Sequence, residues 1–209
     1  MRPKENATPA PARRRAPGMS QERRREMIVM AALPLVAEHG SAVTTAQIAR
    51  AAGIGEATVF RAFTDKEELL DACVVEVLRP DHVLEQLASV PLDQPLTERL
   101  TEAAEAMRAH MARIGTVLGA LHASGRRSRG SHTQEEGAGA PSGRAASFKA
   151  TRDALTELFE PEGDRLRLPP ERLAALFLSL TFAGARGSAA DVEPSVAEIV
   201  DVFVHGILK

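Results

Sequence analysis

Residues 44–70, TTAQIARAAGIGEATVFRAFTDKEELL, leave this chain little freedom in how they fold. Thr44 with Gln47 fits a capping box, in which the hydroxyl takes an orphan helix N–H and the amide reaches back. Ile48, Ala49 and Ala52 then fall on one apolar face at helical spacing. Gly53 stands where a helix commonly ends in a left-handed residue, a conformation only glycine adopts cheaply. Ile54 plugs the turn, and a second helix opens near Gly55. In it Val59 and Phe63 share an inward face, while Ala57, Thr58, Arg61 and Ala62 lie on the other side. Thr64 with Glu67 fits a second capping box, opening a third helix with a core stripe of Leu69, Leu70, Cys73, Val74 and Val77. Two short helices joined by a tight turn make a helix-turn-helix, which can set one helix in the major groove of DNA.

The outward face of the second helix combines small side chains with one long cation, which suits close approach to base edges. Lys66 lies in the first turn of the next helix, where the macrodipole disfavours a cation. A helix N-terminus with an ammonium group makes a phosphate site. The alternative is a solvated lysine offset by Asp65 and Glu67.

Ile48-Ala49, Ala52-Gly53-Ile54, Thr58, Phe60, Phe63, Lys66 and Leu69-Leu70 together resemble the DNA-binding domain of the TetR family of bacterial transcriptional regulators. The close resemblance covers residues 20–80. The resemblance implies that Thr45, at the start of the second helix, contacts phosphate. It further implies that Glu56, Ala57, Thr58 and Arg61 face the major groove and that Lys66 holds a phosphate. This chain departs from the pattern at two places. The family usually has Tyr where Phe60 stands, so that hydroxyl contact is lost or reduced to packing. Many relatives carry Lys or another polar residue near Glu56; a carboxylate there repels phosphate, yet it can accept from a cytosine amino group. Equally, Glu56 fits a solvent-facing acid favoured by the helix dipole.

Composition agrees with a soluble regulator and does not by itself establish one. The 209 residues are enough for a small domain and a larger one. Cys73 is the single cysteine, which excludes a disulfide within the chain and fits a reducing cytoplasm; on an inward helix face it reads as a buried small hydrophobe. The longest apolar stretch, 173–185, is too short to span a bilayer, and the N-terminus lacks the apolar region of a secretory signal. Net charge is −2, yet residues 1–25 carry a balance of +6. Residues 1–19 read as a disordered basic arm, either drawn to phosphates or a solubilising tail. Arg23, Arg24 and Arg25 open the first helix, where they are placed to touch a DNA backbone.

That first helix is expected over residues 20–39, with Ile28, Ala31, Ala32, Leu35 and His39 at helical spacing and a kink at Pro34. Beyond residue 80 helices are expected at about 81–89, 96–123, 145–160, 169–189 and 194–208. Residues 124–144 are polar and rich in Gly and Ser, and read as a mobile loop, either a flap or a spacer. The last two helices carry wide apolar stripes: Leu173, Leu176, Phe177, Leu180 and Gly184, then Val196, Ile199, Val200, Phe203, Val204, Ile207 and Leu208. Leu178 and Phe182 make the earlier helix apolar on more than one side, and Ala183, Gly184, Ala185 and Gly187 allow close approach. Two antiparallel helices from each subunit fit a four-helix dimer interface.

A ligand pocket in the helical body would be lined by Met107, Met111, Ile114, Leu118, Phe148 and Phe177, with Leu100, Leu121 and Leu155. The same pattern also fits plain core. His110 and His122 have no Cys or carboxylate at metal-ligand spacing, and no phosphate loop or nucleophile elbow is recognisable. No catalytic residue, metal or cofactor is therefore assigned.

The expectation is an all-α chain: arm 1–19, DNA-binding domain 20–80 with the helix-turn-helix at 44–63, and a ligand-binding and dimerisation domain 81–209. It would act as a cytoplasmic, non-enzymatic homodimer on a palindromic double-stranded DNA operator, more often repressing than activating, released by a small molecule and independent of membranes. A helical protein-interaction module without sequence-specific DNA binding is the alternative; it would bury the face bearing Thr58 and Arg61 against a protein.

Overall fold

The computed structural model describes residues 19–125, 143–184 and 194–208. Residues 1–18 of the arm, most of the 124–144 loop, and Ala185 and Gly187 lie outside the described residues. The described residues form α1 (Gln21–His39), α2 (Thr45–Ala51), α3 (Glu56–Ala62), α4 (Lys66–Val77), α5 (Asp81–Ala88), α6 (Leu96–Ala123), α7 (Gly143–Glu157), α8 (Pro170–Gly184) and α9 (Val196–Ile207). Short 3-10 segments at Gly40–Ala42 and Glu160–Arg165 complete them. An isolated antiparallel bridge, Leu166 to Leu208, ties the end of α9 to the strut before α8. Among the described residues no helix is long and apolar enough to cross a membrane.

Helix boundaries follow local chemistry. Ser20 caps α1 by accepting from Arg23 N–H, and Gly40 closes it at φ +56°. The helix runs through the exposed Pro34 and buries Ile28, Val29, Ala32 and Val36. The inward stripe is therefore rotated from the expected one: Ala31, Leu35 and His39 are only half-buried. The expected capping box at Thr44 and Gln47 forms. The second expected box does not. Asp65, not Thr64, is the cap of α4, accepting from Glu68 N–H, and the Glu68 carboxylate reaches back to Thr64 N–H, so the cap sits one residue later and the reciprocal box is not closed. Either register offers a short polar side chain followed three residues on by an acid, and spacing alone does not choose between them.

Two apolar cores result. One joins α5 to α9 and centres on Phe159, Phe177 and Phe203, whose ring centroids lie 5.2–6.4 Å apart. The other gathers α1 to α4, with Ile48, Val59, Phe63, Leu69, Leu70 and Cys73 inside. The second core also takes Val117 and Leu121 from the far end of α6. The long helix thus packs Leu100 and Met107 into the body and its last turns into the head.

Gly40 meets the end of α6 without room for a side chain. A Cβ built there would stand 2.3 Å from the Ala120 carbonyl oxygen and 2.6 Å from Ser124 Oγ. Ser41 N–H donates to Ser124 Oγ at 2.7 Å, and Ser41 Oγ donates to the Ser124 carbonyl at 3.1 Å. Gly53 also has positive φ, +66°, but open space around it. Gly53→Ala should therefore cost only the left-handed penalty, about 1–2 kcal/mol. Gly40→Ala adds a backbone clash and should cost clearly more in urea unfolding; equal losses for the two would show that the α6 contact is not tight.

Candidate nucleic-acid interface

The reading head is built around α3. Gly53 supplies the sharp turn after α2, and Gly55 stands as the uncapped residue before α3. Val59, Ala62 and Phe63 are buried and fix the helix on the head core. Ala62, expected on the outward face, is part of that core. One side of a short helix is narrow, and position 62 falls back under α1 beside Phe63. Ala57, Phe60 and Arg61 are exposed, and Thr58 is half-buried. Phe60 is 51% exposed, so it does not pack into the core in place of the tyrosine of the family pattern. Arg61 makes no hydrogen bond or ion pair with any described residue.

The cations of α1 divide. Arg25 turns inward, away from the solvent-facing position expected of it. Its guanidinium donates to the Ala62 carbonyl, lies 4.1 Å from the centre of the Phe63 ring and pairs with Glu68 at 2.8 Å. Arg25 so fastens the C-terminus of α3 to α1 and α4. No sequence signal pointed to this, because the partners come from elements far along the chain. Glu68 also accepts from Thr64 N–H at 2.6 Å. That backbone bond first, and the Arg25 bond second, hold its carboxyl below the ordinary glutamate range. Arg24, by contrast, reaches only to the Met19 carbonyl at the surface.

Lys66 opens α4 and donates to the Ser41 carbonyl at 2.5 Å, next to the Ser41–Ser124 bonds. An ammonium carries three donors, so this bond positions Lys66 without exhausting it. Thr45 opens α2 and donates its hydroxyl proton to Glu56 Oε1 at the start of α3. The two residues expected to act separately, one on phosphate and one on a base, are thus paired across the turn.

The six residues expected to line a pocket scatter. Met107 and Phe177 are solid core, Met111 and Ile114 are half-buried, and Leu118 and Phe148 are exposed. Instead, an open apolar groove of about 890 Å³ runs between α8 and α9, lined among others by Leu176, Leu180, Ile199, Val202 and Phe203. His110 is buried on α6, and burial, then Arg113 and His82, hold its pKa below the usual histidine value; His122 is exposed at the end of the same helix.

A capped helix, a glycine turn and a second helix with one locked face and one open face define a helix-turn-helix DNA-binding domain carried on a helical body. Residues 28–73 match the model of the tetR family of bacterial regulatory proteins. The family match thus covers the helix-turn-helix head, residues 28–73, while the fold of the chain as a whole is shared with solved structures of transcriptional regulators. Among solved structures it is similar to a tetR-family transcriptional regulator from Streptomyces coelicolor, with 21% identity over 90% of this chain and 81% of that one, TM-score 0.51. It is also similar to a transcriptional regulator from Rhodococcus sp. Rha1, 19% identical over 88% and 95%, TM-score 0.52. A third is a protein of Mesorhizobium loti assigned to the same family, 18% identical over 92% and 100%, TM-score 0.57. At these identities the likeness is one of fold. No curated protein matches the chain.

Arg25→Ala removes a part-buried carbonyl bond and a ring contact and should destabilise the head by about 1–2 kcal/mol in urea unfolding. Glu68 binds its proton less readily folded than unfolded. The stabilisation from the Thr64 N–H bond and the Arg25 pair is therefore present above the ordinary glutamate range and is lost as pH falls below it. Glu68→Gln should show a flatter acid limb; an unchanged limb would mean the pair does not stabilise the fold.

Proposed function

We propose that the chain is a homodimeric, ligand-responsive regulator that binds a palindromic operator, more often as a repressor, and leaves it when a small molecule occupies the helical body. The observation that carries the DNA reading is the open face of α3. Arg61 extends from it with no described partner, beside Ala57, Thr58 and Phe60, while the opposite face is locked by Val59, Phe63 and Arg25. In this reading Arg61 hydrogen-bonds a guanine edge, Ala57, Thr58 and Phe60 touch neighbouring bases, and Lys66 holds a phosphate.

The dimer reading is supported by α8 and α9. Leu176, Leu180 and Val202 are 48%, 47% and 73% exposed around one apolar groove, although the same helices send Leu173, Phe177, Val200 and Val204 into the body core. A helix apolar on two sides needs two partners. A second copy gives the two-fold symmetry that matches half-sites about 34–36 Å apart. The response to a ligand is supported by α6, which belongs to both cores. A change of packing around Leu100 and Met107 moves the turns holding Val117, Leu121 and Ser124, and with them the head.

Selection of the tightest binders from randomised duplexes at near-physiological salt tests the reading. The expected result is one enriched site with two-fold symmetry, after which added metabolites reveal the effector by releasing it. Enrichment of no sequence, with only weak salt-sensitive binding, would overturn it. On the selected site Arg61→Ala should cost about 1–3 kcal/mol and relax the preference at one base pair. Lys66→Ala should weaken every sequence alike and lower the salt slope by about one phosphate. Loss of equal size on all sequences for Arg61→Ala would remove its base-reading role.

A further inference from the structure

We propose that Thr45 and Glu56 act as one unit in reading the operator, with Thr45 as the positioning residue and Glu56 as the group that selects a cytosine. The inference rests on the operator-binding reading above and deepens it. Thr45 Oγ1 donates to Glu56 Oε1, joining the first residue of α2 to the first residue of α3 across the turn. A threonine hydroxyl has one proton to donate. While it is given to Glu56 it is not available to a phosphate oxygen. Releasing it would leave an untethered carboxylate on the surface that approaches the DNA backbone.

Glu56 is exposed, and among the described residues it has no ion-pair partner. An ionised carboxylate is an acceptor only, so it repels phosphates and the acceptor-rich edge of guanine. Two bases present an amino donor in the major groove. Adenine sets its N6 amino group beside the N7 acceptor, which faces a carboxylate unfavourably, whereas cytosine offers N4 without that neighbour. Glu56 Oε1 is held by Thr45, which leaves Oε2 to accept a hydrogen bond from the cytosine N4 amino group. The tether also limits the rotamers of a long side chain and so sharpens where that acceptor stands.

Selection from randomised duplexes is repeated with Glu56→Gln, Glu56→Ala, Thr45→Val and Thr45→Ser, and binding to the wild-type site is titrated against salt. Wild type should show a required cytosine in each half-site. Glu56→Gln should move that preference to adenine, whose N6 and N7 an amide can bind together. Glu56→Ala should erase the preference and tighten binding to unrelated duplexes. Thr45→Val should flatten the cytosine preference about fivefold or more while leaving the salt slope unchanged, and Thr45→Ser should restore it. If Thr45→Val instead weakens all sequences equally and lowers the salt slope by about one, Thr45 is a phosphate contact and the pairing has no role in readout. An enriched site whose base profile ignores all four substitutions overturns the unit alone. If wild type enriches no site, the operator reading falls and the unit falls with it.

Discussion

The α1 terminus approaches α6 so closely that only a glycine fits there. Gly40 leaves no room for a side chain against the Ala120 carbonyl, and Ser41 is bonded twice to Ser124. Because Lys66 donates to the carbonyl of that same Ser41, the start of α4 is referred to the end of α6 through a single residue. The position of the reading head relative to the body is therefore set by polar bonds and close backbone contact, not by apolar packing alone. Hydrogen bonds weaken steeply when misaligned, and the close backbone contact at Gly40 leaves no room to shift.

Local chemistry explains what was legible in the sequence. The capping box at Thr44, the left-handed Gly53 and the pair Val59 and Phe63 each act within a few residues, and each is found where the pattern puts it. The cap of α4 was misplaced by one residue because Thr64 and Asp65 are both able caps. The inward stripe of α1 runs through Val29 and Val36 because these share a helix with other apolar residues, and periodicity alone offers two overlapping faces. Arg25 was illegible for another reason. Three basic residues in a row look alike until the chain brings Glu68, Ala62 and Phe63 to one of them.

The body was legible as helices and less so as a site. Met107 and Phe177 satisfy a pocket pattern and a core pattern equally, and both are packed without exposure worth the name. Methionine and leucine on an amphipathic helix record only that the face avoids water. What the sequence did carry was an excess. The helices at 170–184 and 196–207 hold more apolar surface than one neighbour can cover, and Leu176, Leu180 and Val202 are left outside after Leu173, Phe177 and Val200 have been buried. Excess of that kind supports the dimer proposed above, and periodicity displays it before any contact is known.

Hydrogen-bond accounting across the head separates structural from reading groups. Ser41, Arg25, Thr64 and Thr45 have already committed donors to Ser124, Ala62 with Glu68, Glu68 and Glu56. Lys66 has committed one of three, and Arg61 none among the described residues. A group whose donors are spent must break a bond to greet DNA, which reduces what the new bond contributes. A group with uncommitted donors loses only its hydration. Affinity is accordingly expected to come chiefly from Arg61 and Lys66. In the proposed reading the committed groups hold α3 at one angle, and Glu56 refuses the sequences that do not offer an amino group.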